Sequence, residues 1–270
     1  MIIPYTKAHG ARNDFLLTWA EEAPASGLPA IAVAICDRHT GVGADGWMLV
    51  SKSGPEGCHG AIRLLNSDGS EAEISGNGTR CSAAFLVSAG LGGDDVRIAT
   101  GAGVKHLRVL RREGRRFEFF MNMGRPTVDP QEVRYALPVG QLVCDTTILH
   151  VGNPQCAVFV DDFRLDWRAL GAAIERHPRF PNRTNVSFIR KVDEHSVEVR
   201  FWERGAGETM SSGTGSTGAA AAAILRGAAA SPVTVLTPAG PLVITWEGSE
   251  IHMTGPAEIV ASGEFYYVPE

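Results

Sequence analysis

Hydrophobic positions in this chain come in short runs. Residues 30–35 (AIAVAI), 47–50 (WMLV) and 61–65 (AIRLL) are apolar or β-branched stretches bounded by turn formers, the pattern of buried or half-buried strands. In the second half, residues 157–160 (AVFV), 185–189 (NVSFI) and 196–201 (SVEVRF) read the same way, and the last alternates strictly between polar and apolar. Two segments depart from this pattern. Residues 79–89 and 216–226 are rich in alanine and follow glycine-rich turns, so each predicts a helix. The expected fold is α+β, with mostly antiparallel strands and one central helix per half.

The two helical segments belong to a repeat. Residues 71–84 (EAEISGNGTRCSAA) and 208–221 (ETMSSGTGSTGAAA) align at an offset of 137, from 212 − 75, about half the chain length. The glutamates, the Ser-Gly-x-Gly cores and two alanines coincide. A weaker echo pairs Asn13 in HGARN with Asn153 in HVGN, at an offset of 140 from 153 − 13. Two copies of one unit follow, with a boundary near 125 to 145. The expected halves are 1–125, with a C-terminal segment returning to it, 140–262, and a tail at 263–270.

Composition narrows the function classes. The 270 residues suffice for two ordinary cores, and a net charge of -5 without a long basic run gives no electrostatic footprint for nucleic acid. Arg111, Arg112, Arg115 and Arg116 read as a solvated hairpin edge. No N-terminal leader pattern and no span of 18 apolar residues occurs, so the expectation is a cytoplasmic protein without membrane contact. Five cysteines without CxxC spacing suggest neither a disulfide framework nor zinc. Lys7, Lys52, Lys105 and Lys191 are the only lysines, and none sits in a glycine-rich phosphate context, which excludes pyridoxal-phosphate chemistry; no cofactor is expected.

A glycine-rich turn opening a helix gathers unpaired backbone N–H groups at the positive end of the helix dipole, a seat for a carboxylate or phosphate. Phosphate is disfavoured because GxxxxGK[ST] is absent and no GxGxxG with a downstream acidic partner follows a clear strand. Either loop alone could be a simple tight turn. Asn66 and Asn77 could likewise be turn residues, since asparagine tolerates left-handed backbone.

The blocks Asn13-Asp14-Phe15, CDRHTGVGADG at 36–46, NSDGSEAE at 66–73, GNGTRC at 76–81, Gly152-Asn153-Pro154, Asn185-Val186, and ERGAGET at 203–209 followed by Gly213-Thr214-Gly215 resemble diaminopimelate epimerases. They occur in family order across nearly the whole chain. The resemblance implies two pseudosymmetric domains, each a β-barrel-like sheet wrapped around a central helix, with the active site in the cleft between them. It also implies cofactor-free inversion at an amino-acid α-carbon by two bases, on LL-diaminopimelate, in a homodimer joined near Tyr266-Tyr267. By the same resemblance, Gly76, Asn77, Gly213 and Thr214 would seat the α-carboxylate. Asn13, Asn66, Asn153, Asn185, Glu203 and Arg204 would contact the remainder of the substrate, with Arg204 suited to a distal carboxylate.

The chain departs from the family where protons move. The two catalytic cysteines fall at Ser75 and Ser212, and the family's Gly-Asn-Pro-His reads Gly152-Asn153-Pro154-Gln155. A hydroxyl is a weaker acid than a thiol and needs a neighbouring base; Glu203, Glu208 and Glu73 are the candidates. Alternatives stay open: serines exchanged for cysteine in a true epimerase, a divergent racemase, isomerase or dehydratase acting on another amino or carboxylic acid, or a ligand-binding homologue without catalysis.

Overall fold

The computed structural model describes residues 1–268 and divides into two compact units. Unit 1 is Met1–Met121 with the chain from Gly255 on, and unit 2 is Asn122–Thr254. The return into unit 1 therefore begins inside a strand at Gly255, earlier than the tail expected at 263.

Unit 1 contains β1 (Ile2–Gly10), β2 (Asn13–Trp19), α1 (Leu28–Cys36), β3 (Gly46–Ser51), β4 (Gly60–Asn66), β5 (Glu71–Ala72), α2 (Gly76–Ser88), β6 (Asp95–Thr100), β7 (Gly103–Glu113) and β8 (Arg116–Gly124). Unit 2 follows with β9 (Tyr135–Val139), β10 (Leu142–His150), β11 (Pro154–Phe159), α3 (Trp167–Glu175), β12 (Asn185–Lys191), β13 (Ser196–Glu203), β14 (Gly207–Thr209), α4 (Gly213–Leu225), β15 (Val233–Thr237) and β16 (Gly240–Glu247). The long β17 (Glu250–Tyr266) begins in unit 2 and ends in unit 1.

Strand pairing closes unit 1 into a ring of eight. β1 pairs with β2, β2 runs parallel to β3, β3 pairs with β4, and β4 runs parallel to β6. The β6–β7 and β7–β8 pairs are antiparallel, and β17 completes the ring by pairing with both β8 and β1. Unit 2 repeats the same order: β10, β11, parallel β12, β13, parallel β15, β16 and β17. The register repeats as well. Leu65 opposes Glu71 as Trp202 opposes Glu208, each at an offset of 137, so Asn66 and Glu203 are equivalent strand-end positions. The duplication read from two loops thus extends through the whole topology.

Both alanine-rich helices form, each beginning three residues earlier than predicted. Ser75 and Ser212 are the N-caps, in extended backbone, and each side chain accepts from the amide three residues on, Gly78 and Gly215. α4 is buried from Gly213 to Ala223, and a helix of small residues buried on every face needs protein on every side. The Gly-x-Gly spacing has a packing cause. A Cβ at Gly215 would stand 2.8 Å from the Phe201 ring, and one at Gly78 would overlap the Met48 side chain.

Residues 30–35 are a correction: they form α1, not a strand. Ile31, Ala32, Ile35 and Cys36 are buried while Val33 is exposed, a helical spacing, and Pro29 lies in the first turn where its missing N–H costs nothing. The alternation of alanine with branched residues satisfied both periods, and at this length periodicity alone does not choose. α3 carried no signal that the reading used. Its Trp167, Leu170 and Ile174 join Phe188, Val158 and Val186 in the unit 2 core, while Ile31, Ile35, Trp47 and Leu65 centre that of unit 1. The Arg111–Arg116 region is an exposed hairpin edge, as expected.

Candidate active site

In unit 1 the structure joins Asn13, Asn77 and Ser75 around the N-terminus of α2. Asn13 starts β2, and its Nδ2 donates to Asp45 Oδ2 at 2.6 Å, while its Oδ1 accepts from Asn77 Nδ2 at 3.1 Å. Asn77 Oδ1 accepts in turn from Arg80 Nη2 at 2.6 Å. An arginine can only donate and a carboxylate at this position only accepts, so the two ends of the relay dictate which way both amides face. Arg80 is fully buried and also donates to the carbonyls of Pro256 and Gly76. Burial pulls its pKa down to about 10, which leaves it charged at neutral pH.

The carboxylate end is anchored by more charge. Arg38 bridges Asp14 and Asp45, at 2.7 and 2.8 Å, and Lys7 reaches Asp14 at 3.0 Å. Burial raises the Asp14 carboxyl, but the bonds from Arg38 and Lys7 outweigh it and hold Asp14 below the usual range. Asp45 lies above that range because it is buried and faces Asp14. Burial and these two aspartates push the Cys36 thiol up to about 12.

Asn66 ends β4 and is bound into a turn by its Nδ2 bond to Ser70 Oγ at 3.0 Å and the Asn66 N–H to Ser70 carbonyl bond. Ser75 Oγ accepts from the Gly78 amide at 3.1 Å. Within its own unit it meets no carboxylate among the described residues, and Glu73 at that turn is exposed.

In unit 2 the equivalent serine has a base. Ser212 Oγ donates to Glu203 Oε2 at 2.7 Å, and Thr209 Oγ1 donates to the other oxygen at 2.7 Å. Glu203 is half-buried. Glu208, the other candidate, is paired with Arg168 at 2.6 and 2.8 Å on the exposed side of β14, so it does not serve Ser212. Asn153 donates to Thr214 Oγ1 at 3.2 Å and accepts from Gln155 Nε2 at 2.6 Å. Gln155 is buried and its Oε1 finds no partner among the described residues.

Asn185 and Arg204 form the remaining group. Asn185 Nδ2 donates to the Pro154 carbonyl and its Oδ1 accepts from the Arg204 backbone N–H, both at 3.0 Å. The Arg204 guanidinium donates to the Asn182 carbonyl at 3.2 Å. Gly76 and Asn77 begin α2 and Gly213 and Thr214 begin α4, first-turn positions whose N–H groups have no intrahelical acceptor.

Three residues absent from the sequence reading support this arrangement. Arg80 and Asp45 terminate the relay. Glu175, on α3 and 3 % exposed, accepts from the Trp202 indole at 2.9 Å, from the Gly205 amide at 3.1 Å and from Arg183. It therefore pins the loop that carries Glu203 and Arg204. A charged residue inside otherwise small, buried helix text was the visible signal for Arg80.

The strand order repeated in the two units defines a class first. A hydroxyproline epimerase from Agrobacterium vitis superposes with a TM-score of 0.74 over 97 % of this chain and 90 % of its own at 15 % identity, so the two share a fold. The family model for diaminopimelate epimerase matches residues 5–128 and 147–260, one match in each half. Diaminopimelate epimerase from Pelotomaculum thermopropionicum is 41 % identical over 97 % of this chain and 99 % of its own, and diaminopimelate epimerase 1 from Nostoc sp. is 40 % identical over 98 % and 100 %. The chain belongs to the diaminopimelate epimerase family.

Proposed function

We propose that the protein is a cofactor-independent isomerase acting at the α-carbon of diaminopimelate, converting the LL to the meso form in the supply of lysine and peptidoglycan precursors. The observation that carries this reading is the matched pair of helix N-termini, each opened by a serine at the position that holds the catalytic cysteine in the family, with Glu203 bonded to one of them. First-turn amides at Gly76, Asn77, Gly213 and Thr214 suit a carboxylate and the charge that grows on it as the α-proton leaves. Asn13, Asn66, Asn153 and Asn185 supply amide contacts, and Arg204 a bidentate partner for a distal carboxylate.

The test is incubation with LL-diaminopimelate, following the meso form by chiral chromatography and binding by calorimetry. Saturable binding with any meso product supports the reading; failure to bind any diaminopimelate isomer sinks it. The serines and Gln155 favour one second reading, a divergent member acting on another amino or carboxylic acid, which a substrate panel would reveal.

The protein also fits a cytoplasmic homodimer. Val33 on α1 and Tyr266 on β17 are exposed and line one groove of unit 1 together with Phe265 and Tyr267. Sedimentation of the wild type against Tyr266→Glu tests that assembly. Among the described residues no helix is long and apolar enough to cross a membrane.

A further inference from the structure

We propose that Glu175 is a positioning residue for substrate choice: it sets the two loops that carry Asn185 and Arg204, and thereby decides how strongly unit 2 prefers a ligand with a second, distal carboxylate. The proposal rests on the preceding reading of Arg204 and goes beyond it by naming the group that makes that arginine selective.

Glu175 ends α3, and its side chain is buried. Three donors from three stretches of chain meet it there. Trp202 Nε1 on β13 donates to Oε2 at 2.9 Å, the Gly205 amide donates to Oε1 at 3.1 Å, and the Arg183 guanidinium reaches the same Oε1. The Glu175 carbonyl also accepts from the Thr184 amide at 3.2 Å. A buried ion pair adds little stability over apolar side chains of the same volume, so what this one supplies is geometry.

The two loops are tied to each other as well as to Glu175. Asn185 Oδ1 accepts from the Arg204 amide at 3.0 Å, one residue before the amide that Glu175 holds. The Asn182 carbonyl accepts from the Arg204 guanidinium at 3.2 Å, one residue before Arg183. Arg183 itself stands at φ +62°, left-handed backbone that is unfavourable for a residue with a Cβ and persists where surrounding contacts fix it. The fixing contacts here are the bond from the Arg183 amide to the Phe180 carbonyl at 2.9 Å and the guanidinium on Glu175. Gly205, at φ +81°, makes the matching turn in the other loop, closed by the bond from the Ala206 amide to the Glu203 carbonyl at 3.1 Å. Glu175 thus couples two tight turns whose backbone groups determine where the Arg204 guanidinium can sit. A planar fork pairs well with a carboxylate only when its plane is set in advance, so a positional error at these turns falls on the distal carboxylate and spares the first-turn amides of α4.

The experiment measures binding of LL-diaminopimelate and of lysine, which is diaminopimelate without one carboxyl group, to the intact protein by calorimetry. The unsubstituted protein should bind diaminopimelate at least about tenfold more tightly than lysine. Glu175→Gln keeps the volume but puts a donor where one of the three donors now points; it should weaken diaminopimelate binding roughly ten- to a hundredfold and lysine binding less than about threefold. In a double-mutant cycle with Arg204→Lys the two losses should not multiply, and the double variant should fall within about threefold of the weaker-binding single variant. Glycine tolerates left-handed backbone, so Arg183→Gly is the companion variant that keeps the test open if Glu175→Gln does not fold. It should lose at least about fivefold in affinity for diaminopimelate, with lysine again unmoved. Equal losses for both ligands, or losses that multiply in the cycle, would leave Glu175 a purely structural residue and overturn the proposal. Unchanged diaminopimelate affinity in either folded variant would do the same. An unsubstituted protein that binds diaminopimelate no better than lysine would overturn the reading of Arg204 itself, and the proposal with it.

Discussion

Arg80→Met removes the donor at one end of the Asn77–Asn13–Asp45 relay while keeping most of the buried volume. The guanidinium donates at 2.6 Å to Asn77, 3.0 Å to Pro256 and 3.3 Å to Gly76, and hydrogen bonds from charged donors contribute about 1.5–3 kcal/mol each. Against this stands desolvation: lowering the Arg80 pKa from its ordinary value to about 10 corresponds to roughly 3 kcal/mol, and a buried ion carries a penalty of several kcal/mol overall. The two sides nearly cancel, so global stability should change by less than about 2 kcal/mol. Ligand binding has no such compensation. Without Arg80 the Asn77 amide is free to turn over, its Oδ1 is left buried, and the contact to Asn13 is no longer dictated. That costs about 1–3 kcal/mol, or roughly five- to 150-fold in affinity for diaminopimelate. Calorimetry of binding and chemical denaturation of the same preparations give both quantities, with Arg80→Lys as the variant that keeps charge but not the planar fork. Unchanged affinity in folded Arg80→Met would refute the relay; a stability loss above about 4 kcal/mol would mean that the arginine mainly ties α2 to the Pro256 carbonyl.

Thiol chemistry offers a second check. Burial pushes Cys36 and Cys81 up to about 12 and also raises Cys144 and Cys156, so at pH 8 the native protein should titrate one fast thiol, Cys58, and five after unfolding. Gly215→Ala should destabilise by about 1–3 kcal/mol, because its Cβ would meet the Phe201 ring at 2.8 Å, and should weaken Ser212–Glu203 coupling by shifting the N-terminus of α4; thermal melts and α-proton exchange measure the two effects. Asp37, bound by the Thr40 backbone and hydroxyl and the His39 amide, has its pKa lowered to about 2. A depressed carboxyl stabilises the fold above its unfolded pKa, and that contribution is lost as pH falls from about 4 toward 2. Asp37→Ala should therefore flatten the dependence of Tm on pH in that window and lower Tm at neutral pH.

Much of the architecture was legible because duplication doubles every signal. A single Ser-Gly-x-Gly turn is ambiguous, but two at a fixed offset located both central helices, with starts three residues late because the N-caps are the serines that open the turns. Strands with strict alternation, such as 196–201, were equally plain. α1 was misread because AIAVAI suits either period, and its helical state depends on packing Ile31 and Ile35 into a core that local text does not reveal. The relay through Arg80, Asn77, Asn13 and Asp45 joins three separated stretches of chain, since Asn77 and Arg80 share α2, and the carboxylate that serves Ser212 could be narrowed only to three glutamates. Selecting Glu203 required knowing that β13 and β14 turn it inward while Glu208 faces Arg168.

The passage of β17 through both units imposes an order in time. All of unit 2 lies in one continuous stretch, Asn122–Thr254, whereas unit 1 cannot close until the residues from Gly255 onward are available. During synthesis the first half emerges early, yet it waits with β1 and β8 unjoined, since β17 is the strand that both of them pair with. The later half of the gene is thus the first that can mature, and the earlier half stays exposed to mispairing throughout that delay.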